Sequence, residues 1–224
     1  MIQILYQLAE IGDLKSFLKY QKYWVFCSNN NDNWDINDMD NPEIYKRITV
    51  VNNCLQFKRL AKDPLYKGLR PRIELRPMDH LLRKNIPYRI DYEFRVLKGT
   101  DFRGMIFQLM DHFEGSKNPM PTFQLEIRDG LIHCRNSKLP SVEAEIFPFA
   151  KVVENEWVSV SLAVKLSGDT SGYIICYHKG KQVYNRSRKI TGSQTGRVQV
   201  SIGIYAVEGV ELITEVRKLN IIQR

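Results

Sequence analysis

Short runs of alternating apolar and polar residues fill the chain beyond Ile48, and turn-forming residues separate each run from the next. A period of two places successive side chains on opposite faces of a β-strand. Asp129-Gly130 and Lys179-Gly180 provide tight turns that join neighbouring runs into hairpins. Many short strands and few helices predict an all-β antiparallel β-sandwich of the jelly-roll type. The predicted strands are 49–57, 73–76, 88–96, 105–109, 123–127, 131–135, 157–166, 173–178, 181–184, 198–205 and 212–222.

Residues 1–23 follow a different period. Ile4, Leu8 and their apolar neighbours recur at the three-and-four spacing of one helical face. Asp13 follows a glycine and can cap a second short helix, because its side chain accepts a backbone N–H. We therefore predict a short N-terminal helical arm over 1–23 and a jelly-roll domain over 24–224. The arm either packs on its own domain or docks a protein partner, and both alternatives stay open.

Asparagine and aspartate dominate residues 29–41 and carry no apolar period, which predicts a loop. Their oxygen atoms suit calcium, but the spacing matches no EF-hand loop and the glycine that such a loop requires is absent. We expect no cofactor, and calcium in this loop is the alternative.

The composition is that of a globular protein, with 43% hydrophobic residues in 224, and no stretch approaches the roughly 20 apolar residues that span a bilayer. Lysine and arginine number 33 against 25 acidic residues, so the formal net charge is +8. This balance favours a polyanionic partner, whether nucleic acid, acidic glycan or anionic lipid. Nucleic acid is disfavoured, because the sequence lacks an RNP-type aromatic motif, a recognition-helix pattern and zinc-finger spacing.

The four cysteines are scattered and form no CxxC pair, so a zinc ribbon or a thioredoxin-type site is unsupported. We expect buried thiols in strands and leave one or two disulfides open. The N-terminus also lacks the basic region, apolar core and cleavage site of a secretory signal. A location outside the cell, at its surface or in a virion is nevertheless expected for a glycan partner, by indirect export or assembly.

The most basic part of the chain contains a strand of alternating charged and apolar residues. In it Arg72, Glu74 and Arg76 face one way, while Ile73 and Leu75 face the core. The polar face is either part of a binding site or a solvated surface on which Glu74 bridges two arginines.

Two further strands place chemistry-bearing side chains on one face. Gln108 shares a face with Met110, and an amide in such a place can bind a carboxylate. Ser201, Gly203 and Tyr205 share a face of a later strand, where the glycine would leave room for a ligand against the backbone. The tyrosine can stack on a sugar or transfer a proton.

The order of these motifs resembles the polysaccharide lyases of concanavalin A-like jelly-roll fold, which include heparin, glucuronan and alginate lyase-like groups. The resemblance covers about residues 48–222. It runs from R-x-E-L-R through G-x-I-F-Q, Q-L-E-I-x-D-G-L, E-W-V, G-Y-I and K-G-K to I-G-I-Y.

The resemblance implies β-elimination on a uronate-containing anionic polysaccharide, without a redox cofactor and often without a metal. Arg72 and Gln108 would hold the uronate carboxylate, and Tyr205 would act as the acid or as both acid and base. The implied substrate-binding residues are Arg76, Glu74 and His112.

Two departures from the family pattern leave it open whether the protein is an enzyme. Met110 stands where the family commonly has histidine, and a thioether neither accepts nor donates a proton usefully. His112 or His80 could replace it only if a bulge or loop brought either one inward. Ser201 stands where alginate lyase-like members have lysine. The alternative is a non-catalytic glycan-binding or structural jelly-roll subunit of a surface, virion or phage assembly.

Overall fold

The computed structural model describes residues 3–7, 14, 23–27, 34–36, 42–63, 71–77, 82–112, 120–136, 145–192, 196–206 and 209–224. These residues form seventeen strands and a short helix α1 (Pro42–Arg47). In chain order the strands are β1 (Gln3–Gln7), β2 (Tyr23–Cys27), β3 (Trp34–Ile36), β4 (Ile48–Val51), β5 (Cys54–Arg59), β6 (Arg72–Pro77), β7 (Leu82–Arg83), β8 (Pro87–Lys98), β9 (Gly104–His112), β10 (Met120–Arg128), β11 (Leu131–Asn136), β12 (Glu145–Lys151), β13 (Val158–Lys165), β14 (Tyr173–His178), β15 (Lys181–Ser187), β16 (Arg197–Ala206) and β17 (Leu212–Gln223).

The strands form two antiparallel sheets. Over the described ranges, one sheet has eight strands in the order β15-β14-β13-β8-β17-β5-β4, with β1 also paired to β17. The other has nine strands in the order β12-β11-β10-β9-β16-β6-β2-β3, with β7 also paired to β16. Neighbours that are distant in sequence, such as β9 and β16, require the crossover connections of a jelly roll. The predicted sandwich is confirmed.

The core lies between the two sheets and is built from the alternate positions of their strands. Tyr92 of the eight-stranded sheet packs on Phe107 of the nine-stranded sheet, with ring centroids 5.2 Å apart. The Tyr92 hydroxyl also donates a hydrogen bond to the Ile106 carbonyl at 3.0 Å. Because Phe107 faces the core, the adjacent Gln108 faces the opposite, outer side of the nine-stranded sheet.

The segment predicted as one strand, 49–57, forms the two strands β4 and β5 in the structure. Asn52 and Asn53 have φ values of 49° and 60°, so a tight turn separates β4 from β5. Two adjacent asparagines in the left-handed region suit a hairpin turn. An unbroken strand over this segment was therefore the wrong prediction.

The helical prediction for the N-terminal arm is wrong for Gln3–Gln7, which forms β1 and pairs with the last residues of β17. β5 pairs with β17 only as far as Val216, so the end of β17 has an open edge that β1 occupies. Leu14, by contrast, is helical and buried in the core. The domain boundary after residue 23 and a partner for the arm stay predictions.

The predicted loop over 29–41 contains a short strand, because Trp34–Ile36 forms β3 and pairs with β2. The rest of that segment, and with it the calcium alternative, lies outside the described residues. Among the described residues, no helix has the length and apolar character needed to cross a bilayer.

Three of the cysteines, Cys54, Cys134 and Cys176, are buried free thiols, as predicted. A hydrogen bond with Cys176 and burial raise the pKa of the Cys134 thiol. The side chain of Cys27 lies outside the described part of the chain.

Gly203 marks a bulge in β16. Ile202 pairs with Phe107 and Tyr205 with Met105, so β16 carries an extra residue between them. The φ of Gly203 is 127°, and a Cβ atom there would lie 2.3 Å from the Ile73 carbonyl oxygen. The glycine is therefore required by the close approach of β6, and the interpretation that it leaves room for a ligand is wrong.

Gly203→Ala is expected to lower the free energy of unfolding by about 3 kcal/mol or more, because it adds a clash to an unfavourable φ. Urea denaturation checks this. Gly180→Ala is the matched control, since Gly180 also has a positive φ of 75° but nothing within 4 Å of a Cβ atom. An equal decrease in the free energy of unfolding in the two variants would contradict a role for the contact between Gly203 and β6.

Candidate active site

The outer face of the nine-stranded sheet carries a band of polar side chains from β6, β16, β9 and β10. Cross-strand pairing brings Gln108 opposite both Ser201 and Gln124. Gly203 lies opposite Glu74 on the next strand. Register alone therefore lines up these polar positions across four adjacent strands.

Glu74 is the centre of this band, and its carboxylate accepts four hydrogen bonds. Oε1 accepts from Gln108 Nε2 at 2.6 Å and from Ser201 Oγ at 2.7 Å. Oε2 accepts from Arg76 Nη2 at 3.1 Å and from Arg72 Nη1 at 3.4 Å. Glu74 is 2% exposed, so these partners replace its water shell. The alternative of a solvated bridge between two arginines is wrong, because all three charged side chains are buried.

Burial alone would raise the pKa of Glu74. The positive charges of Arg76 and Arg72, together with hydrogen bonds from Ser201 and Gln108, outweigh burial and lower that pKa below its ordinary value of 4.5. Glu74 is therefore an anion at neutral pH, and two arginines leave the cluster with a net charge of +1.

Tyr205 lies at the edge of this cluster and is partly exposed. The Arg72 guanidinium carbon stands 4.4 Å from the centroid of its ring. The two residues are direct cross-strand partners, which fixes this stacking. A cation and a group able to transfer a proton therefore meet at one place on the sheet.

Two polar residues of the network were not predicted as parts of the site. Gln124 Nε2 donates to Gln108 Oε1 at 2.6 Å and so fixes the orientation of the Gln108 amide. Ser201 Oγ accepts from Arg76 Nε at 3.2 Å and donates to Glu74. The alternation of apolar and polar residues over 123–127 could have predicted Gln124 as a site residue. It places the Gln124 side chain on the face of the strand that Phe123 and Leu125 do not share.

His112 does not join the cluster. The pairing of β9 with β16 is regular from Gln108 to His112, so the two side chains are about 14 Å apart along the strand. His112 Nε2 instead lies 3.1 Å from Gln199 Oε1. The bulge that would bring His112 inward is absent between these two described strands, and His80 lies outside the described residues.

Met110 occupies the position between Gln108 and His112 on the same face and is 7% exposed. In cross-strand pairing it lies opposite Gln199. The site therefore has a thioether where the family resemblance leads one to expect an imidazole.

The sequence model of the polysaccharide lyase family matches residues 21–221, nearly the whole chain. The chain belongs to the polysaccharide lyase family. No curated protein matches the chain in sequence.

Solved structures share the fold of this chain at low sequence identity. A glucuronan lyase from the fungus Trichoderma reesei is 18% identical, with 89% of this chain and 93% of that chain covered and a TM-score of 0.64. A family 7 alginate lyase is 10% identical, with 93% of this chain and 95% of that chain covered and a TM-score of 0.74. An alginate lyase from Pseudomonas aeruginosa is 11% identical, with 90% of this chain and 98% of that chain covered and a TM-score of 0.69. At these identities the likeness establishes the jelly-roll fold of the chain.

In the described part of the chain, no group of three or more His, Cys, Asp or Glu side chains is placed to hold a metal ion. We call Glu74 and its four hydrogen-bonding partners, Arg72, Arg76, Gln108 and Ser201, the Glu74 cluster.

Glu74→Gln is expected to lower the free energy of unfolding at neutral pH by about 3 kcal/mol, because it leaves two buried arginines without their anion. Since the pKa of Glu74 is lowered by folding, its stabilising contribution is present above pH 4.5 and is lost as the pH falls through the folded pKa. The difference between wild type and variant should therefore shrink below pH 4.5.

Urea denaturation over a series of pH values measures that difference. Glu154→Gln is the control, because it removes the same charge at an exposed position. A difference for Glu74→Gln that stays constant below pH 4.5 would contradict the assignment of a lowered pKa.

Proposed function

We propose that this polysaccharide lyase cleaves a uronate-containing polysaccharide by β-elimination at the Glu74 cluster. The observation that carries the proposal is the stacking of the Arg72 guanidinium on the Tyr205 ring at 4.4 Å, beside a cluster of net positive charge. The solved structures of similar fold include lyases for glucuronan and for alginate, and both polymers are uronates.

The reaction requires three functions of the site. A cationic or hydrogen-bonding group stabilises the uronate carboxylate, and a base removes the proton from the adjacent carbon. The electron pair of that C–H bond forms a carbon–carbon double bond as the bond to the glycosidic oxygen breaks. The departing oxygen then takes a proton and leaves as a hydroxyl group.

Arg72 and Gln108 are the residues placed to hold the carboxylate. A guanidinium has several N–H donors, and a Gln side chain has two, of which the Gln108 amide uses one on Glu74. The Gln108 amide oxygen accepts a hydrogen bond from Gln124, so the Gln108 NH₂ group is held in one orientation. Glu74 accepts hydrogen bonds from both donors and positions them. Its two oxygens are engaged by four donors in all, so we assign the proton transfer to another residue.

Tyr205 is the group placed to move the proton. Its phenolate form would accept the proton next to the carboxylate, and the resulting hydroxyl would return that proton to the departing oxygen. Because Met110 cannot serve as a base and His112 lies about 14 Å along β9 from Gln108, one residue performs both steps in this proposal.

Wild-type protein is expected to release products with an ultraviolet-absorbing double bond from at least one polymer in a panel of glucuronan, alginate, heparin and hyaluronan. Tyr205→Phe should lower the rate by about a hundredfold to ten-thousandfold, because it removes the proton-transfer group. Tyr177→Phe on β14 of the other sheet is the matched control. Full activity in Tyr205→Phe would remove Tyr205 from the mechanism.

Met110 favours one second candidate, a non-catalytic glycan-binding jelly roll. A buried thioether on the face of Gln108 supplies neither acid nor base, whereas the donors that bind a carboxylate remain. Such a protein would bind uronate oligosaccharides without cleaving them. A location outside the cell, at its surface or in a virion suits either candidate.

Met110→His separates the two candidates. If Tyr205 performs both proton transfers, wild type is active, and the imidazole adds a limb to the pH–rate profile near its ordinary pKa of about 6.5. Met110→Leu, an apolar replacement of similar size, should add no such limb. A silent wild type that binds uronate, together with an active Met110→His, would instead identify a non-catalytic binder.

A further inference from the structure

A second glutamate cluster lies on the outer face of the same sheet, on β10 and β11. Glu126 is fully buried, with 0% of its surface exposed. Its Oε1 accepts a hydrogen bond from Arg103 Nε at 3.3 Å, and its Oε2 accepts one from Arg135 Nη1 at 3.2 Å. We call Arg103, Glu126 and Arg135, with the adjacent His133, the Glu126 cluster.

The Glu126 cluster repeats the construction of the Glu74 cluster. In each, a buried glutamate holds two arginines, so two positive charges stand against one negative charge. The arginines of the Glu126 cluster are more accessible, since the side chains of Arg103 and Arg135 are 43% and 25% exposed. An anion can therefore reach this pair from solvent, and guanidinium groups suit a carboxylate.

Two nitrogens of the Glu126 cluster have no hydrogen-bond partner among the described residues. They are the Nε of Arg135 and the Nδ1 of His133, and both atoms are buried. His133 is only 7% exposed and is the direct cross-strand partner of Glu126. Because an unpaired buried polar group costs about 1–3 kcal/mol, ligand binding that rearranged these side chains and paired either nitrogen would be favoured.

Strand register fixes where the Glu126 cluster lies relative to the candidate active site. Tyr205 pairs with Met105, and Met105 pairs with Glu126, so Glu126 is two strands from Tyr205. Two strand spacings are about 10 Å. A chain of sugars that crosses the strands at Tyr205 would therefore reach the second cluster within a short oligosaccharide.

We propose that the Glu126 cluster is a second carboxylate-binding subsite, which takes another uronate of the same polysaccharide that lies over Tyr205. Arg135 and Arg103 bind the carboxylate, and Glu126 positions both guanidinium groups. This inference rests on the proposed function and extends it: the substrate carries uronates at intervals that match the separation of about 10 Å between Tyr205 and Glu126.

The test compares oligosaccharides of increasing length from a homopolymeric uronate, starting with the disaccharide. Binding is measured by calorimetry in the Tyr205→Phe background, where cleavage does not interfere, and KM and kcat are measured with Tyr205 intact. Arg135→Gln should raise Kd and KM by about tenfold or more for the longer oligosaccharides, because one charge-assisted contact is lost. The same variant should leave the Kd of the shortest oligosaccharides and the value of kcat unchanged.

Arg103→Gln is the second variant, because its side chain is more exposed and its loss disturbs the core less. Arg89→Gln is the control: Arg89 has a similar exposure of 45%, pairs with Asp91, and lies on the other sheet. Unchanged melting temperatures exclude unfolding as the cause of weaker binding. If both cluster variants behave like Arg89→Gln at every length, the subsite is refuted.

The outcomes also separate this inference from the proposed function. Cleavage by the wild type with no length-dependent loss in the two variants overturns the subsite alone. Length-dependent loss of binding, in a protein that cleaves nothing, overturns the lyase activity and supports the subsite. Absence of both binding and cleavage overturns both.

Discussion

The compensation of one buried negative charge governs the arrangement of the candidate site. A carboxylate as inaccessible as that of Glu74 is stable in the folded protein only if nearby cations and donors replace water. Arg76, Arg72, Ser201 and Gln108 supply that replacement from three adjacent strands. Since each donor must point at the same carboxylate, Glu74 fixes the orientation of these side chains across β6, β16 and β9. The groups proposed to bind substrate are thereby held before any ligand arrives.

The same constraint explains the chemical character of the outer face. Each buried glutamate binds two arginines and leaves an excess positive charge, so the face attracts anions while its own charges remain compensated. On the eight-stranded sheet, Arg95 and Arg217 enclose the Trp157 ring from 4.7 and 4.2 Å, and Arg95 also pairs with the buried Glu215. The Glu74 cluster differs in that two arginines share one buried carboxylate beside a tyrosine.

Much of the candidate site could be predicted from local sequence. Alternation along β6 placed Arg72, Glu74 and Arg76 on one face, because side-chain direction in a strand has a period of two. What could not be predicted was the set of partners from other strands. Gln124 and Ser201 complete the network only because β10 and β16 flank β9, and the motif that contains Glu126 gave no sign that two arginines would meet on it. His112 lies apart from the cluster because the pairing of β9 with β16 is regular and leaves it four residues along the strand from Gln108.

The sequence by itself determined the all-β class, most strand positions, the polar face of each strand and the family, since these follow from short-range periodicity and ordered motifs. It did not determine that residues 49–57 fold back at Asn52 and Asn53, or that Gln3–Gln7 adds a strand to β17. Those features depend on which backbone edges remain unpaired once the sheets have formed. Tertiary structure alone decided which polar residues became buried together, because charge compensation acts between strands that are far apart in the chain.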